Sequence, residues 1–213
     1  MNTKNINIPV LESIELSMEL AGKRERYAIR KLIQLLNCND KYSYDFIPTA
    51  TDKKIGYEGL IYVRNKITDT LLDLYIIEAK VREPNVTQDK LYYEVKKHNT
   101  LKKIRVEKLK EGTSFYPKLL YVQFCFDGTH MFFIDDIIED GNMPKISKIK
   151  MNAVTVASRT NKENKSVYNL EKQLAVYKKY IYNENDYADY LKKEVKQAVT
   201  EINEIKKTTY SIF

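Results

Sequence analysis

Residues 71–82, Leu-Leu-Asp-Leu-Tyr-Ile-Ile-Glu-Ala-Lys-Val-Arg, constrain the fold more than any other stretch. The run is β-rich, apolar until its last few residues apart from Asp73, and stopped by Pro84. It reads as one long strand. Its far end is unusual. Alternate side chains share a strand face, so Glu78 and Lys80 point the same way. A carboxylate and an ammonium at the end of an apolar strand must pair, hold a cation or reach a cleft.

The neighbouring stretches supply a setting. Residues 42–50 are rich in aromatics and end in the polar turn 51–54; residues 57–64 read as a strand, with a turn at 65–70. With 71–82 they form an antiparallel meander, which places Glu58, at the start of the second strand, beside the third. Upstream, residues 11–36 are helical in pattern: Ile14, Met18, Ala21, Ala28, Leu32 and Leu35 form an apolar stripe. Glu25 falls on that stripe, where a carboxylate needs a reason, and Gly22 is a candidate break.

Downstream, Thr87 is a candidate N-cap for a helix to about Leu109. Nine basic and four acidic residues between 87 and 118 give a local net charge of +5. Residues 119–126 and 130–134 form a hairpin around Asp127-Gly128, and 146–157 read as a further strand. The polar, basic tract 158–166 reads as a loop. Residues 170–207 are helical in pattern with a break near 183–186. There Leu191, Val195, Ala198, Ile202 and Ile205 make a heptad-like stripe that suits packing on the chain's own core or pairing with a second copy.

The order is thus α-β-β-β-α-β-β, then more strand and helix. The economical reading is one α/β (α+β) domain over residues 1–168 with a C-terminal helical extension over 169–213.

Composition narrows the chemistry. Of 213 residues only two are cysteine and two histidine, which argues against Cys/His zinc modules, a disulfide scaffold and a histidine-based triad. A metal must then be held mainly by carboxylates, which suits Mg²⁺ or Mn²⁺. The net charge of +7, with 36 basic residues against 29 acidic, suits a polyanion such as nucleic acid. No apolar run approaches the roughly 20 residues of a membrane helix, and the first residues carry no apolar leader segment. A soluble, cytoplasmic protein without a membrane partner is expected.

Glu58, Glu78 and Lys80 suit one reaction. Two carboxylates can hold a hard divalent cation, which acidifies water and neutralises charge on a phosphate. A lysine beside them can orient that water. Glu-x-Lys alone is a weak signal, since it recurs, among other places, at Glu94/Lys96, Glu194/Lys196 and Glu204/Lys206, with Asp52/Lys54 in a turn. These three Glu-x-Lys copies lie on helix-patterned stretches, and a further one, Glu163/Lys165, lies in the polar tract 158–166. Only Glu78/Lys80 combines a mostly apolar strand, an upstream carboxylate and a downstream amphipathic helix.

In this combination the chain resembles the PD-(D/E)XK nuclease superfamily, which includes many restriction endonucleases, from the first helix to about Phe126. The resemblance implies a restriction-endonuclease-like core, α-β-β-β-α-β, with a mixed sheet flanked by helices. It implies Glu58 and Glu78 as metal ligands, Lys80 as the water-positioning lysine and Glu25 as the acidic residue of the first helix. The upstream acid is usually Asp, so Glu58 departs from the pattern. Gln88 and Tyr92 have the Gln-x-x-x-Tyr spacing with which some branches contact the substrate strand. Lys96, Lys97, Lys102, Lys103 and Arg105 form a candidate phosphate-contacting face.

The expectation is a Mg²⁺-dependent DNA endonuclease, with Mn²⁺ as a substitute cation and a homodimer through the C-terminal helix for cutting both strands. The rivals are a catalytically inactive nucleic-acid-binding module of the same fold and a protein-interaction module.

Overall fold

The structure is a computed structural model that describes residues 10–49, 56–82, 90–112, 114–139, 144–152 and 162–210. The chain divides into two compact units, residues 1–181 and 182–213. No helix among the described residues is long and apolar enough to cross a membrane.

The first unit is mixed α/β. Helix α1 (Val10–Leu36) leads into strands β1 (Tyr42–Pro48), β2 (Gly59–Asn65) and β3 (Leu71–Val81). β4 (Lys90–Glu94) runs directly into α2 (Val95–Lys110), followed by β5 (Lys118–Cys125) and β6 (Gly128–Phe133). A single π-helical turn (Asp135–Glu139) precedes β7 (Ile146–Asn152), β8 (Lys162–Glu171) and the short β9 (Val176–Lys178). Two sheets result, one of six strands in the order β1-β2-β3-β5-β6-β9 and one of three in the order β4-β8-β7. β1, β2 and β3 form the expected antiparallel meander. β3 and β5 are parallel, with β4 and α2 in the crossover between them, as a parallel pair requires. All other pairings are antiparallel.

The core forms where the faces meet. Ile76 of β3, Leu119 and Tyr121 of β5 and Phe132 of β6 cluster with Leu101 of α2, Leu91 and Tyr93 of β4, and Tyr168 and Leu170 of β8. α2 buries His98, Leu101 and Arg105, a stripe at i, i+3 and i+7. Each fully buried large apolar side chain of this kind contributes about 1.5–3 kcal/mol. The second unit carries α3 (Glu184–Tyr210).

Four local expectations are corrected. α1 runs unbroken through Gly22; one glycine costs a helix about 1 kcal/mol, which a helix of this length absorbs. The second helix starts at Val95 rather than near Thr87, because Leu91-Tyr92-Tyr93 pairs with β8 as a strand. Alternation there buries Leu91 and Tyr93 and leaves Tyr92 half exposed. Residues 162–166, read as loop, belong to β8. Residues 170–183, read as helix, hold the end of β8, a 3₁₀ turn (Lys172–Leu174) and β9, so helix begins only at Glu184. Thr87 and residues 153–161 lie outside the described residues.

Candidate active site

The strand register brings two carboxylates together. Gly59 pairs with Ile77, and the Glu58 amide donates to the Ile77 carbonyl at 2.8 Å. One more step of the antiparallel register sets Glu58 opposite Glu78, with both side chains on one face. Gly59 makes the approach feasible, since a Cβ there would overlap the Ile47 carbonyl oxygen and the Phe46 ring. Thr49 closes this corner from β1: its amide donates to the Glu58 carbonyl at 3.0 Å and its hydroxyl to the Tyr57 carbonyl at 2.9 Å.

The two helices then add charge. Glu25, on the buried face of α1, accepts a hydrogen bond from Lys80 Nζ at 2.9 Å, and Lys80 Nζ lies 3.5 Å from Glu78 Oε1. Arg26 on the same helix donates from Nη2 to Thr49 Oγ1 at 3.1 Å and stands 3.5 Å from Glu58 Oε2 through Nε. From α2, Lys97 Nζ lies 2.8 Å from Glu78 Oε1 and donates to the Gly56 carbonyl at 2.8 Å. Three carboxylates and three cations therefore meet at the end of β2 and β3. The Glu78 side chain is 0% exposed, whereas Lys80 is 39% exposed. The lysine is thus the solvent-facing member of the pair and Glu78 the buried one.

Crowding shifts the protonation of these groups. Burial, then the charges of Glu25 and Glu78, push the Glu58 carboxyl up to about 8 against the opposing pull of Lys80 and Arg26. Burial likewise raises Glu78, which Lys80 and Lys97 partly offset. Lys80 is pulled down by desolvation, but Glu25, Glu78 and Glu58 outweigh it and hold the ammonium raised. Lys80 therefore stays charged.

The same groups test whether a cation fits. Glu58 Oε2 and Glu78 Oε2 are buried with no hydrogen-bond partner among the described residues. Buried carboxylate oxygens are ordinarily satisfied. Carboxylate oxygens without a hydrogen bond on adjacent strands, the Glu58 one facing Arg26 Nε at 3.5 Å, form the all-oxygen donor set that a hard divalent cation takes. Glu58 and Glu78 could hold such an ion, with Glu25 and Lys80 around it.

The remaining sequence candidates separate. Lys97 joins the site. Lys96, Lys102 and Lys103 stay exposed on α2. Arg105 is corrected: it is 3% exposed, donates to Asp135 Oδ1 at 2.6 Å and covers the Tyr116 ring, so it belongs to the core and not to the lysine face. Tyr92 lies on a strand and not on a helix face, and Gln88 lies outside the described residues. The Tyr92 carbonyl accepts from the Tyr121 hydroxyl at 3.0 Å and from Gln123 Nε2 at 3.2 Å.

Sequence reasoning missed Arg26, Gln123 and Arg82. Gln123 is fully buried beside Lys80 in the register, and Arg82 Nε donates to its Oε1 at 2.7 Å. A glutamine inside the apolar run 119–126 was the available signal. Arg26 gave none, since Lys23-Arg24-Glu25-Arg26 looks like a wet surface. Comparison of the chain with protein-family models, with curated proteins and with solved structures finds no match.

Proposed function

We propose that this protein is a metal-dependent DNA endonuclease of the PD-(D/E)XK type, hydrolysing phosphodiester bonds with Mg²⁺ or Mn²⁺. The observation that carries the reading is the meeting of Glu58, Glu78, Glu25 and Lys80 at one end of the β1-β2-β3 meander. The parallel β3–β5 pair, with α2 in its crossover, accords with a restriction-endonuclease-like core.

Glu58 and Glu78 would hold the cation, and when bound it would supply Lewis acidity to water and to a phosphate oxygen. Lys80, kept charged by its carboxylate neighbours, donates to the attacking water or to the scissile phosphate. Glu25 fixes the Lys80 ammonium through their 2.9 Å hydrogen bond. Arg26 steadies Glu58 from the helix side. Lys96, Lys102 and Lys103 hold the duplex by its phosphates, which positions it without reading sequence. A second copy, joined through α3, would cut the other strand.

The Lys97–Glu78 pair favours one rival, an inactive nucleic-acid-binding module in which a lysine ammonium takes the place of the cation. Incubation with supercoiled, linear and single-stranded DNA and with RNA, in Mg²⁺, Mn²⁺ or EDTA, separates the two. Cleavage that needs metal and disappears in Glu78→Ala and Lys80→Ala supports the enzyme. Binding without cleavage under every metal condition supports the module, and neither activity rejects both.

A further inference from the structure

The hairpin joining β5 to β6 gathers three unlike metal-ligand types at one point. Cys125 ends β5, Asp127 stands in the turn and His130 lies near the start of β6. One donor atom from each, thiol sulfur, carboxylate oxygen and imidazole nitrogen, falls within 4.8 Å of the others. A chain with two cysteines and two histidines has placed one of each in a single hairpin.

The turn is held firmly. Gly128 has φ of 140°, and a Cβ there would run into the Tyr177 ring. The Tyr177 hydroxyl donates to the Asp127 carbonyl at 2.7 Å, and β9 pairs Tyr177 with His130. Lys172 Nζ, 2.5 Å from Asp127 Oδ2, holds one carboxylate oxygen and leaves Oδ1 facing His130 Nε2 at 3.2 Å. His130 is 4% exposed, and its Nδ1 has no hydrogen-bond partner among the described residues. The Lys172 pair accounts for Asp127, but a buried imidazole with one nitrogen unsatisfied needs another reason.

We propose that this hairpin binds Zn²⁺ or a similar borderline transition-metal ion. Its ligands are Cys125 Sγ, Asp127 Oδ1 and a ring nitrogen of His130, with a fourth tetrahedral position open to water. Thiolate and imidazole donors select such ions over Mg²⁺ and Ca²⁺, which take oxygen. Binding displaces the Cys125 thiol proton to solvent. Lys172 on the non-ligating oxygen acts as the outer partner that orients a metal-bound carboxylate. The site is separate from the carboxylate site. Lys80 pairs with Gln123, and Gln123 with His130, which sets the two about 10 Å apart on strand spacing.

The test is a Co²⁺ titration of the full chain carrying Cys38→Ser, with excess Mg²⁺ to engage the carboxylates. A thiolate-to-cobalt charge-transfer band with tetrahedral-type visible bands, displaced by Zn²⁺ and lost in Cys125→Ser and His130→Gln, is expected. Its absence from the folded Cys38→Ser protein, or its survival in Cys125→Ser, overturns the proposal. If Cys125→Ser does not fold, the parent spectrum decides, since Cys125 is then the one thiol in the chain. The outcome does not depend on whether the protein cuts DNA.

Discussion

Glu58 and Lys97 show best how buried charge behaves in this protein. Glu58 stands at 4.5 in its ordinary state and about 8 in the folded chain, so between those pH values the folded form keeps a proton that the unfolded form has lost. Acid therefore favours the folded form. In EDTA, stability is expected to be full below about pH 4.5 and to fall through pH 8 by up to about 5 kcal/mol, since each pKa unit is worth about 1.4 kcal/mol. Glu58→Gln should flatten that profile in a thermal melt taken across pH, and a steeper profile in the variant would contradict the assignment. Lys97 meets the fully buried Glu78. Removing it leaves that carboxylate with Lys80 alone of the two lysines, so Lys97→Gln should cost about 1–3 kcal/mol in denaturant melts without metal, the cost of a buried acceptor losing its donor. The loss should shrink when Mg²⁺ is added, because a cation at Glu78 would replace the missing charge.

At the scale of elements, the close approach of β1 and β2 is what seats Glu58. Gly59→Ala forces the two strands apart, with an expected loss of about 1–3 kcal/mol. Its cleavage rate should fall roughly 100-fold, as for a displaced catalytic group; unchanged cleavage would show that Glu58 is not a ligand. The meander was readable because strands 42–48, 59–65 and 71–81 carry β-rich runs bounded by turn residues, and Glu78 and Lys80 stood out against one of them. β4 was not readable: Leu91-Tyr92-Tyr93 precedes a helical pattern without a break, and its strand state depends on β8, more than 70 residues later. Residues 176–178 likewise become strand only by pairing with β6. Local periodicity cannot report such long-range pairing. The approach of Arg26 and Lys97 to the carboxylates was hidden for the same reason, since helix-to-sheet packing sets it.

At the scale of the molecule, the positive charge divides into parts with different work. Lys80 and Lys97 neutralise buried carboxylates, and Arg105 neutralises Asp135 inside the core. Lys96, Lys102 and Lys103 remain exposed on α2. Replacing these three with Gln should weaken DNA binding similarly across sequences. It should also lower the slope of log affinity against log salt by about 1 for each phosphate that is no longer neutralised. Arg105→Gln should instead lower the melting temperature, and a reversal of the two results would refute this division of roles. Net charge alone could not have sorted these residues, because burial decides which charges face a partner.

Under the proposed function, Glu58, Glu78 and Lys80 cut a phosphodiester with a bound cation. The most direct measurement is the single-turnover rate of plasmid nicking against Mg²⁺ concentration, with DNA binding measured in parallel in Ca²⁺. The wild-type rate should saturate in Mg²⁺ and vanish in EDTA. Glu78→Gln and Lys80→Ala should nick about 100-fold more slowly or worse while still binding DNA. No Mg²⁺-dependent nicking by the wild type, or nicking at the wild-type rate by either variant, would contradict it.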